Sequence, residues 1–306
     1  MDQKCIVEGS GNAADGKAAS NSGPPPHGSS AMATGALMCL LSMCSVQFGA
    51  ALSVPAIEAY GSSGASWLRM LFAAVILAVI VRPPILGYSR QQWTSAVLLG
   101  ATTAAMSLCF FAALQRIPLG LAVAIEFLGP LCVAAFAYGF GWRLAWPLVA
   151  GAGVLLLAQD GEGWVGDAAG VAFAFAAAAG WACYILLTKK VGAAFEGLQG
   201  LSMSFMVAAL VATPFGLLGG GTAFGLGGVP EMIWLALLVP VVPYALEMIA
   251  LRRMPTASFG ILMSLEPALG AVAGFLILSQ PLTALQMVGT ALVVAASVGA
   301  TMSPRS

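Results

Sequence analysis

The sequence predicts an all-α membrane protein with ten transmembrane helices, arranged as two inverted five-helix repeats. The prediction depends on the composition, the spacing of the apolar runs and a motif that occurs twice. Of the 306 residues, 60% are hydrophobic and 8% are charged, whereas a soluble domain carries roughly 25% charged residues. Twelve basic and twelve acidic side chains are too few to cover a soluble fold of this length. The composition therefore indicates a chain that spans a lipid bilayer many times.

Apolar runs long enough to cross a bilayer, about 20 residues each, follow one another from residue 32 onwards. Short clusters of charged residues, proline and glycine separate them. Two separators, residues 115–118 and 252–255, are so short that the flanking helices must form antiparallel hairpins. We predict spans at residues 32–54, 64–81, 93–114, 118–139, 143–159, 166–188, 197–219, 231–251, 256–279 and 282–301.

The first 31 residues are rich in Gly, Ser, Ala and Pro, and they predict a disordered tail without the features of a signal peptide. Basic residues concentrate in cytoplasmic segments of membrane proteins. With the N-terminus inside, only Arg116 lies outside, and ten basic residues lie inside: Lys4, Lys17, Arg82, Arg90, Arg143, Lys189, Lys190, Arg252, Arg253 and Arg305. Both termini are therefore predicted to be cytoplasmic, with an even number of spans.

A repeated motif divides the chain into two halves. The segments "RIPLGLAVAIEFLGP" from Arg116 and "RMPTASFGILMSLEP" from Arg253 share an Arg and two Pro residues at a constant offset of 137 residues. The motif falls in the fourth and the ninth predicted spans, so each half has five helices. Because five is odd, the second half enters the membrane from the opposite side, as in many secondary transporters. We predict five-helix units at residues 32–159 and 166–301.

Several kinds of site are not expected. His27 is the only histidine and lies in the tail, and the six cysteines have no paired CxxC spacing. We therefore predict no metal site. We also expect no cofactor, no catalytic residues and no nucleic-acid partner. The lipid bilayer is expected to surround the chain.

Four charged residues lie inside predicted spans: Arg69, Glu126, Glu247 and Glu266. A charge at the centre of a bilayer helix costs about 2.5–3.5 kcal/mol on insertion scales, so each must face protein, water or another charge. Helix rise places Glu126 and Glu266 near the bilayer midplane, approached from opposite faces. They predict either a central site for an amine or protons, or acids satisfied by a buried base or backbone group.

Glu247 lies about one turn from the cytoplasmic end, where it either pairs with Arg252 and Arg253 or contacts substrate. For Arg69 we expect a structural role, either paired with a carboxylate or snorkelling to the interface. Pro130 and Pro267 predict helix kinks, because proline removes the hydrogen bond to the carbonyl four residues earlier.

Three further residues have polar or aromatic side chains inside spans. The amide of Gln47 needs a partner at mid-span. Trp181 and Tyr184 lie one turn apart, where they either pack in the core or contact substrate.

The segments "LQRIPLGLAVAIEFLGPL", "AAGWACYILL", "PYALEMIALRRMPT" and "FGILMSLEPALGAVAGF" together resemble the drug/metabolite transporter superfamily. They look most like the threonine/homoserine exporter branch of the EamA-domain proteins. The resemblance implies a bacterial inner-membrane exporter of small metabolites that is coupled to the proton gradient. It also marks Gln47, Arg69, Glu126, Trp181, Tyr184, Glu247 and Glu266 as positions that match the motifs of the family.

The expected function is secondary export of amino acids, threonine- or homoserine-like, or related metabolites by alternating access. A zwitterionic substrate would offer its ammonium group to Glu126 or Glu266 and its carboxylate to hydroxyl, amide or basic donors. The alternatives are an exporter of another metabolite or drug, such as a purine or nucleotide sugar, a membrane-embedded enzyme, or a scaffold without transport. The sequence leaves the oligomeric state open.

Overall fold

The structure, a computed structural model, describes residues 29–136, 145–159, 163–164, 167–220, 224–254, 259 and 262–302. Within these residues the regular structure is helical, apart from one isolated bridge between Gln159 and Trp164. The main helices are α1 (Ser29–Leu52), α2 (Val54–Val81), α3 (Arg90–Leu114), α4 (Leu119–Glu126), α5 (Leu128–Phe136), α6 (Ala145–Leu157), α7 (Ala168–Ala194), α8 (Gln199–Leu218), α9 (Val229–Ala236), α10 (Val242–Arg253), α11 (Glu266–Leu278) and α12 (Ala284–Met302).

Seven helical segments are long and apolar enough to cross a membrane. They comprise α1, α2, α3, α7, α8, the run Leu226–Tyr244 and α12. Three shorter apolar helices accompany them, at Leu119–Val133, Ala145–Leu157 and Glu266–Leu278. The protein is thus an all-helical, multi-pass membrane protein.

The second helix is longer than its sequence predicts. It begins at Val54 rather than near residue 64, so the expected loop around Glu58 is helical. Pro55 is tolerated because the first turn of a helix has no hydrogen bond for proline to remove. The irregularity is confined to Gly61, whose φ of 70° lies in the left-handed region that glycine adopts readily.

The fourth and ninth predicted spans are each interrupted near their centres. α4 ends at Glu126, and Phe127 separates it from α5. A turn at Ser264 and Leu265 likewise precedes α11. Phe127 and Leu265 keep right-handed helical φ and ψ angles. Pro130 and Pro267 therefore lie just after short local breaks in otherwise helical segments, and the kinks stay a prediction. Glu126 and Glu266 lie beside these two interruptions.

The strongest helix contacts connect the N-terminal and C-terminal halves of the chain. α3 packs on α7 and α8, α1 on α10, α2 on α8, α4 on α11, and α6 on α12. Small residues permit the last of these contacts: a Cβ atom added to Gly153 would lie 2.7 Å from the Gly289 carbonyl oxygen. The Gly289 position is as tight, at 2.6 Å from the Gly153 oxygen. The halves thus form one helical body with a shared interior.

Some predictions concern residues outside the described part of the chain. They include most of the N-terminal tail with His27, the basic residues Lys4, Lys17, Arg143 and Arg305, and the first part of the ninth predicted span. The side chain of Arg252 is likewise outside it. The orientation of the chain in the membrane stays a prediction.

Candidate functional site

A cavity of about 440 Å³ lies in the shared interior, a size typical of small-molecule sites. Its lining comes from both halves of the chain. All six residues that the sequence analysis selected as substrate or proton ligands line it, and Arg69 and Pro130 do so too: Gln47, Arg69, Glu126, Pro130, Trp181, Tyr184, Glu247 and Glu266. Pro267 is buried at the start of α11 and is not among the lining residues.

Helices pack closely at the end of the cavity where α4 begins. Every residue of Leu119–Ile125 is buried, and α4 packs closely on α11. A Cβ atom on Gly120 would lie 3.2 Å from Ala271 Cα. The Leu119 amide also donates a hydrogen bond of 3.1 Å to Gln280 Oε1. The lining extends instead towards the C-terminal end of α12, where it includes Ala300 and Thr301.

On one side of the cavity, an amide and a carboxyl group connect α1 to α11. Gln47 Nε2 donates a hydrogen bond of 3.1 Å to Glu266 Oε1, and both side chains are 3% exposed. The remaining oxygens, Gln47 Oε1 and Glu266 Oε2, have no donor within the described part of the chain. The mid-span amide therefore has the partner that its depth requires, but the pair leaves two acceptors unmatched.

Glu247 lies on α10 and also lines the cavity. Its Oε1 accepts a hydrogen bond of 2.8 Å from the Ser42 hydroxyl, which is also 3.3 Å from the Pro243 carbonyl oxygen. Arg253 is exposed and forms no ion pair with Glu247. Within the described residues, Glu247 thus lines the cavity and bonds to Ser42, and it does not pair with Arg253.

Arg69 on α2 is the base among the described lining residues. Its Nη2 donates a hydrogen bond of 2.7 Å to Ser107 Oγ, and its guanidinium lies 4.3 Å from the centre of the Phe111 ring. Ser107 accepts a second hydrogen bond of 3.0 Å from Ser66. Arg69 also interacts electrostatically with Glu126. The arginine therefore lies at the cavity and is held there by α3.

Aromatic side chains complete the lining. The Trp181 ring packs edge-on against Phe127, with ring centres 5.8 Å apart. Tyr184 donates a hydrogen bond from its hydroxyl to that of Tyr244, which connects α7 to α10. The two selected aromatic residues therefore pack in the core and face the cavity at once.

The sequence analysis did not select Ser42, Ser66, Ser107 or Tyr244 as site residues. One signal was available for Ser107, because Thr103 and Ser107 are four residues apart and thus share one face of α3. Both line the cavity with Met106 and Phe110 of the same helix. Isolated serines in membrane helices commonly bond to their own backbone, so Ser42 and Ser66 gave no comparable signal.

Comparisons with known proteins agree with this architecture. Residues 33–158 and 168–302 each match the EamA-like transporter family. The threonine/homoserine exporter RhtA of Escherichia coli (strain K12) is 36% identical over 271 residues, covering 88% of this chain and 92% of that protein. RhtA of Salmonella typhimurium (strain LT2) is 35% identical over the same length. A crystal structure with 17% identity superposes with a TM-score of 0.59, covering 89% of this chain and 96% of the other.

Proposed function

Because the chain belongs to the EamA-like transporter family, we propose that it is a bacterial inner-membrane secondary transporter that exports amino acids. Threonine- or homoserine-like amino acids and related small metabolites are the proposed substrates, since the bacterial relatives are named for threonine and homoserine export. The observation that carries the proposal is the distribution of charge in the cavity. One arginine and three carboxylates line a space of about 440 Å³.

This distribution complements a zwitterion. Arg69 and the Ser107 hydroxyl offer donors to a substrate carboxylate, and Glu126 and Glu247, which are partly exposed, offer acceptors to an ammonium group. Hydrogen bonds between charged partners are about twice as strong as neutral ones. A molecule that lacks either charged group leaves part of the lining unpaired, which a polar site rejects strongly.

We also propose ten spans, formed by inverted repeats at residues 32–159 and 166–301, with both termini cytoplasmic. Seven long and three shorter apolar helices support the count. The interruptions at Phe127 and at Ser264–Leu265 support the repeat, because residue 127 and residue 264 are 137 positions apart. The helix contacts also agree with two repeats related by symmetry. In the first half α3 contacts α7 of the second half, and the equivalent helices α10 and α1 also contact each other.

Transport would proceed by alternating access. In the proposed orientation the closely packed end of the cavity, at the start of α4, faces away from the cytoplasm, and the end near Thr301 faces towards it. Release of the substrate outside then requires α4 to separate from α11, the pair that closes the outer end. The two halves would rock about the central cavity.

Proton coupling is the last part of the proposal. Glu266 interacts electrostatically with both Glu126 and Glu247, so ionised carboxylates in this cavity repel one another. Either a proton or the ammonium group of a substrate relieves the repulsion. Competition between the two would let an inward proton be exchanged for an outward amino acid.

Proteoliposomes that contain the purified protein test these statements. We expect a pH gradient to drive flux of labelled threonine or homoserine. Glu266→Gln should weaken the dependence of flux on the gradient, and Glu126→Gln should lower the flux itself. Glu231→Gln is the matched control, because Glu231 is exposed in the first turn of α9. Undiminished coupling in Glu266→Gln would contradict the coupling role, and absence of flux for every amino acid would contradict the export function.

The remaining alternatives are separated by the choice of substrate. A panel of amino acids, purines, nucleotide sugars and drugs would be screened by overproducing the protein and measuring which compound becomes less toxic to cells. We propose a transporter rather than an enzyme, and the family match supports this choice.

A further inference from the structure

We propose that Glu266 carries the coupled proton on Oε2, where it is shared with Gln47, and that substrate binds to the other charged groups of the cavity. This inference rests on the proposed transport function and assigns separate places to the two transported species. The proton site is the pair Gln47–Glu266, and the substrate site comprises Arg69, Glu126 and Glu247.

The first observation is the incomplete hydrogen bonding of the pair. Gln47 Nε2 already donates to Glu266 Oε1 at 3.1 Å. Gln47 Oε1 and Glu266 Oε2 each have less than 1 Å² exposed and no donor in the described part of the chain. Buried acceptors without donors are unfavourable, so this arrangement calls for one more donor.

A single proton can supply that donor. An ionised carboxylate only accepts hydrogen bonds, whereas a protonated one gains an O–H donor. An amide and a carboxylic acid can exchange two hydrogen bonds in a ring: the amide N–H donates to one carboxyl oxygen, and the carboxyl O–H donates to the amide oxygen. Gln47 makes the first of these bonds. A proton on Glu266 Oε2 would make the second and pair both unmatched oxygens.

Size favours a proton over an ammonium group at this position. A water-sized group barely reaches the two unmatched oxygens, and an ammonium group attached to carbon is larger than water. A proton occupies no comparable space. The ammonium group is better accommodated by Glu126 and Glu247, which line the cavity and are partly exposed.

The charged groups around Glu266 also favour a proton at this position. The titratable groups that face it are Glu126 on α4, Glu247 on α10 and the Cys39 thiol on α1. The third packed helix, α12, has no titratable residue in its sequence. Arg69 interacts with Glu126 instead. Among the described residues Glu266 thus has acidic neighbours and no base, and a bound proton is what neutralises it.

The position of the pair gives the proton a mechanical effect. Gln47 belongs to the first half of the chain and Glu266 to the second, so their hydrogen bonds tie α1 to α11. Loss of the proton removes the second bond and leaves two buried acceptors without a donor. The contact between the halves is then weakened, which couples proton release to their rocking motion.

The test compares two assays in proteoliposomes for each variant. Counterflow at equal pH exchanges amino acids without net proton movement, and accumulation under a pH gradient requires it. We expect Glu266→Gln and Gln47→Leu to lose accumulation far more than counterflow. Glu247→Gln makes the same chemical change on another side of the cavity, and we expect it to weaken counterflow while the pH gradient still drives what remains. Glu266→Gln that follows the gradient as the wild type does would overturn the proposal.

A spectroscopic measurement tests the site independently of transport. Infrared difference spectra between acid and alkaline pH contain a carbonyl band for each carboxyl group that takes up a proton. We expect Glu266→Gln to lose one such band and Gln47→Leu to shift it, because the O–H loses its acceptor. A spectrum unchanged by Glu266→Gln would overturn the inference. If the wild type shows no counterflow, the proposed transport function fails, and the infrared result still decides the proton site.

Discussion

The cavity has two sides that differ in how completely their charged groups are bonded. On the basic side, Arg69 donates to Ser107 and stacks on Phe111. On the acidic side, Gln47 and Glu266 share one hydrogen bond and leave two buried oxygens without donors. On the basic side these contacts fix the position of the arginine, whereas on the acidic side two buried oxygens lack a donor.

This difference suggests two roles. A guanidinium held by a serine and an aromatic ring is preorganised, so binding a carboxylate there costs little reordering of the protein. An acidic group that lacks a donor changes its bonding when a proton arrives or leaves. We therefore interpret the basic side as a fixed anchor and the acidic side as the part that responds during transport.

Removal of the Arg69 guanidinium should cause the largest loss of substrate affinity. Arg69→Met keeps a similar length without the charge, and we expect it to cost about 1.5–3 kcal/mol of substrate binding, which is roughly tenfold to 150-fold in apparent affinity. The half-saturating concentration for counterflow in proteoliposomes measures this loss. Arg116→Met is the control, since Arg116 pairs with Asp167 away from the cavity. Equal affinities for Arg69→Met and wild type would remove the anchor from the account.

A smaller loss of substrate affinity is expected when Arg69 is kept but its hydrogen-bond acceptor is removed. Ser107→Ala deletes the acceptor 2.7 Å from Arg69 Nη2. We expect about 1 kcal/mol, or roughly fivefold in apparent affinity, as for one ordinary hydrogen bond. The same counterflow assay measures it. Ser204→Ala is a suitable control because the Ser204 hydroxyl bonds to the Gly200 carbonyl of its own helix. A Ser107→Ala variant no weaker than that control would argue against preorganisation.

On the acidic side, Ser42→Ala removes the 2.8 Å hydrogen bond to Glu247. Glu247 is only partly buried, so water can replace the serine, and we expect about 0.5 kcal/mol or roughly a twofold loss of affinity. Ser45→Ala is closely matched, since Ser45 lies one turn further along α1 and makes a 2.8 Å bond to the Leu238 carbonyl. If the two variants bind substrate equally well, the position of Glu247 does not matter to binding.

The smallest effect is expected outside the cavity. Arg116 Nε and Asp167 Oδ2 are 3.8 Å apart, and their side chains are 36% and 52% exposed. Exposed ion pairs contribute about 0–1 kcal/mol, so Asp167→Asn, which can still cap α7, should leave transport unchanged and barely lower the unfolding temperature in detergent. Asp167→Ala also removes the cap to Gly170, and we expect it to be the less stable variant by about 1 kcal/mol. A loss of transport in Asp167→Asn would contradict the expectation that only the charges lining the cavity contribute to transport.

Much of the fold was predictable because hydrophobic length and proline are strong signals in a membrane. The four-residue connection between α3 and α4 lies at residues 115–118 as predicted. The start of α2 was wrong, because Pro55, Glu58 and Gly61 together are typical of a loop. The structure accommodates all three: proline in the first turn, the acid exposed, and the glycine at positive φ.

For the site, the sequence identified the charged and amide side chains buried in apolar spans but not the residues that bond to them. Charges and an amide in apolar spans stand out because burying them is expensive, and the six selected residues all line one cavity. The hydroxyls that hold them depend on which helices adjoin. Ser107 reaches Arg69 from α3, and Ser42 reaches Glu247 across 205 positions of the chain. Such pairings arise from packing and have no local signature.

Competition by substrate analogues tests the central claim most directly. The claim is that one cavity recognises both charged groups of an amino acid. Counterflow of labelled threonine in wild-type proteoliposomes would be inhibited by unlabelled threonine, by its amide, which lacks the carboxylate, and by its 2-hydroxy analogue, which lacks the amine. We predict that each analogue inhibits at least about tenfold more weakly than threonine. Inhibition by either analogue as strong as that by threonine would contradict recognition of the zwitterion.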